Sequence, residues 1–324
     1  MCDQFKNLRQ FNLQAIEDAL FNGIRFISKQ EIFTLSLVVF VLIFCVAIDV
    51  INYFFLHFKV APPWIVYEPL LPILAMWYAG CVLEPYKLYL SLCLRLFALY
   101  LFTIACFFLG AHACLLTPFK PWVDPWLLHV DQLLGFNSAQ LLAWVHAHAE
   151  IKPFLVFAYN TWVFEVLIVP LVLLFLGHFK KLMWLIHASL ISIIVGGLIY
   201  FFLPSLPPAS VVHSAYFLDS SHILIQRFFD LRKHLPLDPK TLSAGLISFP
   251  SFHVINALLS LMAIWHLKYV RWPLLFLNVV LVLSTMMLGF HYLVDVIAAI
   301  VIVVCSGHVA VLLSQVSPNL FKRG

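Results

Sequence analysis

Residues 291–304, His291-Tyr292-Leu293-Val294-Asp295-Val296-Ile297-Ala298-Ala299-Ile300-Val301-Ile302-Val303-Val304, place a histidine and an aspartate at the mouth of an apolar run that continues to residue 314. Such a run is long enough to cross hydrocarbon as a helix, which takes roughly 20 apolar residues. The i,i+4 spacing sets His291 and Asp295 on one helix face. An ionisable group in a span is costly unless it is paired or meets water, and His291 is the nearest partner for Asp295. A carboxylate that accepts a hydrogen bond from one imidazole nitrogen leaves the other nitrogen for attack or proton transfer. A structural hydrogen bond tying two helices has the same spacing.

The rest of the chain is built like this stretch. Hydrophobic residues make up 63% and charged residues 10% of 324 positions, and mean hydropathy is +1.00. Soluble domains carry about one-quarter charged residues, so this is a membrane protein without a second soluble domain. A net charge of +4 with no basic stripe excludes nucleic acid as a partner. The seven cysteines, Cys2, Cys45, Cys81, Cys93, Cys106, Cys114 and Cys305, have no ligand-like spacing and read as small apolar side chains.

Apolar segments lie at 32–56, 67–83, 88–117, 153–177, 182–203, 250–267, 272–289 and 291–314. They predict an all-α, polytopic membrane helical bundle of about eight spans. Residues 1–30 read as a cytoplasmic interfacial helix that is not a cleavable signal. Residues 31–87 hold two extra spans, and 316–324 form a tail. Lys87, Lys180-Lys181, Lys268 to Arg271, the basic N-terminal segment and Lys322-Arg323 all fall on one side, so both termini are expected in the cytoplasm. The stretches 118–152 and 204–249 then face outward. The first mixes Trp122, Trp126 and Trp144 with Pro118, Pro121 and Pro125, as an element lying at headgroup level would. Its His146-Ala147-His148 pair diverges at i,i+2 and reads as two interfacial histidines, not metal ligands.

A second chemical stretch is Phe249-Pro250-Ser251-Phe252-His253. Pro250 and Ser251 mark a helix start, whose free N–H groups and dipole favour an anion such as phosphate. With eight spans, the helices starting near 250 and 291 are separated by one span and a cytoplasmic turn. His253 and His291 therefore emerge on the same outward face.

Together, Phe249 to His253 and Ser284 to Asp295 (STMMLGFHYLVD) resemble the second and third signatures of the type 2 phosphatidic acid phosphatase superfamily, over approximately residues 88–314. The resemblance implies a catalytic membrane domain at 88–315 with a six-helix core. It also implies His291 as a nucleophile forming phosphohistidine, Asp295 as its orienting carboxylate and His253 as the acid for the leaving alkoxide. No cofactor or metal is expected. Two features depart from the pattern: Ser284-Thr285 stands where Ser-Arg is usual, and no Lys with a following Arg-Pro marks the first signature. Cations must still meet the phosphate oxygens. The outward loop offers Arg227, Arg232, Lys233 and Lys240, of which Arg232 and Lys233, with Ser251, are the expected phosphate contacts. The His-Tyr-x-x-Asp form and the run Tyr200 to Pro208 (YFFLPSLPP) are similar to the subgroup of inositol phosphorylceramide synthases and related bacterial membrane proteins.

The expected function is thus a phosphatase or phosphotransferase acting on a membrane lipid phosphate or pyrophosphate, with its site on the outer face of a bacterial inner membrane. Hydrolysis is favoured over headgroup transfer. A proton-coupled transporter, built on Asp49, Glu165, Asp295 and His187, is the reading from another class. A catalytically dead scaffold of the same fold is a third.

Overall fold

The computed structural model describes residues 29–51, 54, 67–116, 122–233 and 247–320. With no water in hydrocarbon to satisfy N–H and C=O groups, an apolar run must close its hydrogen bonds internally, and helices do so. The described residues form α1 (Lys29–Ile51), α2 (Leu70–Leu83), α3 (Leu88–Leu116), α4 (Asp124–Leu133), α5 (Ser138–Ala147), α6 (Lys152–Phe175), α7 (Phe179–Phe202), α8 (Asp219–Arg232), α9 (Phe252–Ile264), α10 (Arg271–Met287) and α11 (Leu293–Leu320). Helices α1, α3, α6, α7 and α11 are long and apolar enough to cross a membrane, and α2, α9 and α10 are shorter apolar helices. The protein is an all-α polytopic bundle whose eight apolar helices follow the eight apolar segments. The expected interfacial helix at 1–30 lies almost wholly outside the described residues.

Helix α9 is the hub, packing on α6, α7, α10 and α11, while α7 also packs on α3 and α11. Leu96, Leu99, Leu182, Ile186, Leu190, Val254 and Leu259 form the centre of the core. Tyr89 packs on Phe179 and His178 on His266, so the turns after α2, α6 and α9 gather at one end of the bundle. The Gln30 side-chain amide donates to the Leu313 carbonyl at 3.2 Å, so the start of α1 and the end of α11 meet at one side.

Polar groups inside this bundle are matched individually. Pro170 sits within α6 and has no N–H to offer the Val166 carbonyl one turn earlier. The Tyr100 hydroxyl of α3 donates to that carbonyl at 2.8 Å. Arg95 of α3 is buried between Glu31 of α1, at 3.6 Å, and Glu84, at 3.0 Å, and Trp77 donates to Glu31 at 3.2 Å. This network fastens α1 and α2 to α3. A Cβ at Gly80 would stand 2.6 Å from Arg95 Cγ, so α2 and α3 approach closely because that position is glycine.

The stretch 204–249, expected to be an outward loop, is helical in part. Residues 219–232 form α8, which packs on α3 and on the short 3₁₀ turn Pro208–Ser210. Its low overall hydrophobicity hides it from a search for spans, but Ser221, Leu224 and Phe228 recur at helical spacing toward the protein.

The Tyr100 contact makes a quantitative prediction. Tyr100→Phe leaves the Val166 carbonyl unpaired and should destabilise the protein by about 1–3 kcal/mol. On a Pro170→Ala background, where residue 170 regains its N–H, the same change should cost almost nothing. Reversible unfolding of the four proteins in detergent measures the coupling, and equal costs on both backgrounds would refute it.

Candidate active site

Helix α9 is thirteen residues long, so it rises only about 20 Å of the roughly 30 Å of hydrocarbon. The non-helical segment 247–251 leads into it. Irregular backbone at that depth is tolerated only where protein covers its polar groups. The Phe249 N–H donates to the Ser205 hydroxyl at 2.7 Å, the Ser248 hydroxyl to the Phe290 carbonyl at 3.4 Å, and the Ser251 N–H to the Asp295 carbonyl at 3.4 Å. Ser251 is the N-cap of α9, its hydroxyl accepting from the Val254 N–H at 3.5 Å. The Phe249–Pro250 peptide bond is cis.

A close helix contact seats this segment. A Cβ at Gly196 of α7 would meet the Phe252 ring at 2.7 Å, and Phe107 of α3 also packs on that ring, with centroids 4.5 Å apart. His253, next in sequence, points instead toward α6. Its ring lies 4.5 Å from the Tyr159 ring and 5.0 Å from Trp162.

The second histidine arrives on the turn between α10 and α11. Gly289 takes a φ of 75°, a region costly for residues with a Cβ. A side chain there would also strike Phe217 at 2.6 Å. The Thr285 carbonyl accepts the N–H groups of Phe290 and His291 at 3.0 and 3.1 Å, fixing the turn. His291 Nδ1 and Asp295 Oδ2 are 3.1 Å apart, and the same carboxylate oxygen accepts the Tyr292 N–H at 2.9 Å. His291 is 3% exposed and Asp295 fully buried. With Asp295 ionised, Nδ1 carries the proton and Nε2 is left with its lone pair. The His253 and His291 rings stand edge to face with centroids 5.6 Å apart.

The structure therefore brings His253, His291, Asp295 and Ser251 together. Lys233 is exposed just past the end of α8. Arg232 ends α8, with its side chain outside the described residues, and Lys240 lies outside them altogether. Arg227 of α8 is buried, within electrostatic reach of His112 and Tyr200. Thr285, where the family pattern has arginine, is buried, and its hydroxyl donates to the Val282 carbonyl at 2.7 Å. His146 stacks on Tyr216 and His148 on Trp144. Among the described residues no three His, Cys, Asp or Glu side chains converge to ligate a metal.

Other contributors went unrecognised in the sequence. Tyr159 and Trp162 wall His253, and Tyr159 stacks on Phe290 at 4.5 Å, linking the two histidine segments. From α4, Asp131 accepts the Leu293 and Val294 N–H groups at 2.9 and 3.0 Å. Asp124 accepts the Leu206 N–H with both oxygens at 3.0 Å and the Tyr292 hydroxyl at 3.1 Å. Asp124-Pro125 is a recognisable helix start, but nothing local names its partners.

A family model described as the PAP2 superfamily matches residues 125–309, more than half of the chain. The chain belongs to the PAP2 superfamily. No curated protein and no solved structure matches it. PAP2 membership gives a phosphatase- or phosphotransferase-type function to a protein with five helices able to cross a membrane. The matched stretch starts at α4 and runs into α11, so it holds both histidine segments and leaves α1, α2 and α3 outside it.

In this PAP2 protein, burial pushes the Asp124 carboxyl up from 3.8 to about 7, although the Leu206 N–H and the Tyr292 hydroxyl pull it down. The folded state thus holds this proton more tightly than the unfolded chain. Its contribution to stability is complete below the ordinary value and is lost as pH rises through about 7. Thermal midpoints should fall between about pH 4 and about pH 7, and Asp124→Asn should flatten that slope. An unchanged slope in the variant would show that another group sets it.

Proposed function

We propose that this PAP2 protein is a lipid phosphatase that works through a phosphohistidine on His291. The observation that carries the reading is the buried His291–Asp295 hydrogen bond with His253 edge-on at 5.6 Å. A nucleophile oriented by a carboxylate, with a second imidazole beside it, has the parts that displacement at phosphorus needs.

In the first step the His291 Nε2 lone pair attacks phosphorus and the bond to the lipid alkoxide breaks. His253 gives its proton to that alkoxide, and Asp295 stabilises the charge gained by the His291 ring. In the second step water attacks the phosphoryl group, His253 takes its proton, the N–P bond breaks, and phosphate leaves with His291 restored. All the reacting groups belong to the chain and the substrate, and we assign no step to a metal. The substrate is a lipid phosphate or pyrophosphate, reached from the bilayer at the outer face of a bacterial inner membrane, with both chain termini in the cytoplasm. Replacing water by an acceptor alcohol turns the second step into headgroup transfer. The His291-Tyr292-x-x-Asp295 form and Thr285 favour that variant, as in inositol phosphorylceramide synthases.

Phosphate release from phosphatidate micelles should persist with a chelator present. His291→Ala should abolish it, and His253→Ala should slow it about 10²–10⁴-fold. Substrate labelled in its phosphate should leave acid-labile label on the wild-type protein and none on His291→Ala. Turnover retained by His291→Ala would end this reading.

The transferred phosphoryl group carries charge that needs a cation. We assign that cation to α8, as Arg227, which is buried under the helix, or as the Arg232 and Lys233 pair at its end. Substituting the clamp residue by alanine should lower kcat/KM about 10²–10³-fold, and substituting the other cations should change it less than about twofold. Wild-type rates in Arg227→Ala, Arg232→Ala and Lys233→Ala alike would exclude a clamp on α8.

A further inference from the structure

The two acids of α4 grip the turn that carries the histidine pair, from a helix that lies outside the apolar spans. Asp124, Leu127 and Asp131 share one face at i, i+3 and i+7, and all three are fully buried. Leu127 packs with both Phe249 and Tyr292, and so touches both histidine segments. The opposite face carries Trp126, 55% exposed, and Leu133, 74% exposed.

The first N–H groups of a helix have no partner within it. In α11 those of Leu293 and Val294 are taken one each by the two oxygens of Asp131, at 2.9 and 3.0 Å. Asp295 sits in the same first turn and is a second carboxylate able to accept them. With Asp131 in place, Asp295 Oδ2 instead holds the Tyr292 N–H and His291 Nδ1. Two carboxylates thus divide one helix origin, Asp131 holding the Leu293 and Val294 N–H groups and Asp295 the Tyr292 N–H and His291. Asp124 braces the same turn from the side through the Tyr292 hydroxyl.

We infer that Asp131 is a positioning residue for the His291–Asp295 pair, acting by taking the α11 N–H groups that would otherwise compete for Asp295. Its kinetic consequence rests on the reaction proposed above, but its structural consequence does not. Small displacements of a reacting group can cost about 10²-fold in rate. Asp131→Asn keeps the size of the side chain but offers one acceptor oxygen, so one of the two N–H groups is released.

The test uses the full chain in lipid nanodiscs, with nitrogen NMR of labelled histidine and the His291 signals identified by their loss in His291→Gln. In Asp131→Asn the hydrogen-bonded Nδ1 signal of His291 should shift or broaden. The kcat for phosphatidate should fall about 10-fold to 100-fold with KM within about twofold. Asp131→Glu, which keeps two acceptor oxygens, should recover part of both. Should Asp131→Asn fail to fold, Asp131→Ser, whose single short hydroxyl cannot serve both N–H groups, carries the same readouts. Unchanged His291 signals in folded Asp131→Asn or Asp131→Ser would overturn the inference. Turnover surviving in His291→Gln would instead overturn the phosphohistidine reading, and the NMR comparison would still decide the role of Asp131.

Discussion

A buried carboxylate must be satisfied where it stands, and Asp295 is buried in the first turn of the apolar helix α11. One of its oxygens holds both the Tyr292 N–H and His291 Nδ1, so helix start and imidazole orientation are set by the same atom. That double use ties chemistry to folding. The turn can form only if α11 begins at Leu293, and α11 can begin there only if its first N–H groups find acceptors. The Thr285 carbonyl anchors the turn from α10, and Asp131 anchors it from α4.

The same demand explains the ionisable residues elsewhere in the bundle. Asp49 accepts the Tyr67 hydroxyl at 2.7 Å. Thr34 has one hydroxyl hydrogen and donates it to the Gln30 carbonyl at 2.7 Å. The 2.6 Å contact with His187 Nε2 is therefore satisfied by the imidazole donating to the Thr34 oxygen. Glu165 of α6 lies beside Asn278 of α10. These residues, with Asp295, were the candidates for a proton relay. Asp49, His187 and Glu165 face Tyr67, Thr34 and Asn278 in turn, and Asp295 faces His291 one turn away; separate pairs suit packing better than conduction, since a relay needs neighbouring members.

What could be read in the sequence divides by range. The eight apolar helices follow directly from run length, because lipid leaves a long apolar segment little choice but helix. His291 with Asp295 was legible because four residues make one helix turn, and His253 joined them through the parity of the crossings. Arg95 with Glu31 was not legible, since nothing local in an apolar run says which distant helix supplies the counter-charge. Asp131 and Leu293 are 162 positions apart, and Tyr159 meets His253 from a different helix. Helix α8 was missed for another reason: it is too polar to register as a span, and its apolar face covers only a few residues.

Position 285 links these themes to the phosphate. Thr285 is fully buried, its hydroxyl returns to the Val282 carbonyl, and its own carbonyl carries two N–H groups of the histidine turn. The residue serves the site through its backbone. An arginine side chain there would have to leave this packed position to reach a phosphate, carrying the start of the turn with it. Charge compensation is then better supplied by an element whose placement is independent of the turn. Helix α8 fits that demand, since its main packing is on α3 and the 3₁₀ turn. On the proposed assignment of the cation to α8, the departure from the family pattern at one position and the buried arginine on a separate helix are two sides of one constraint.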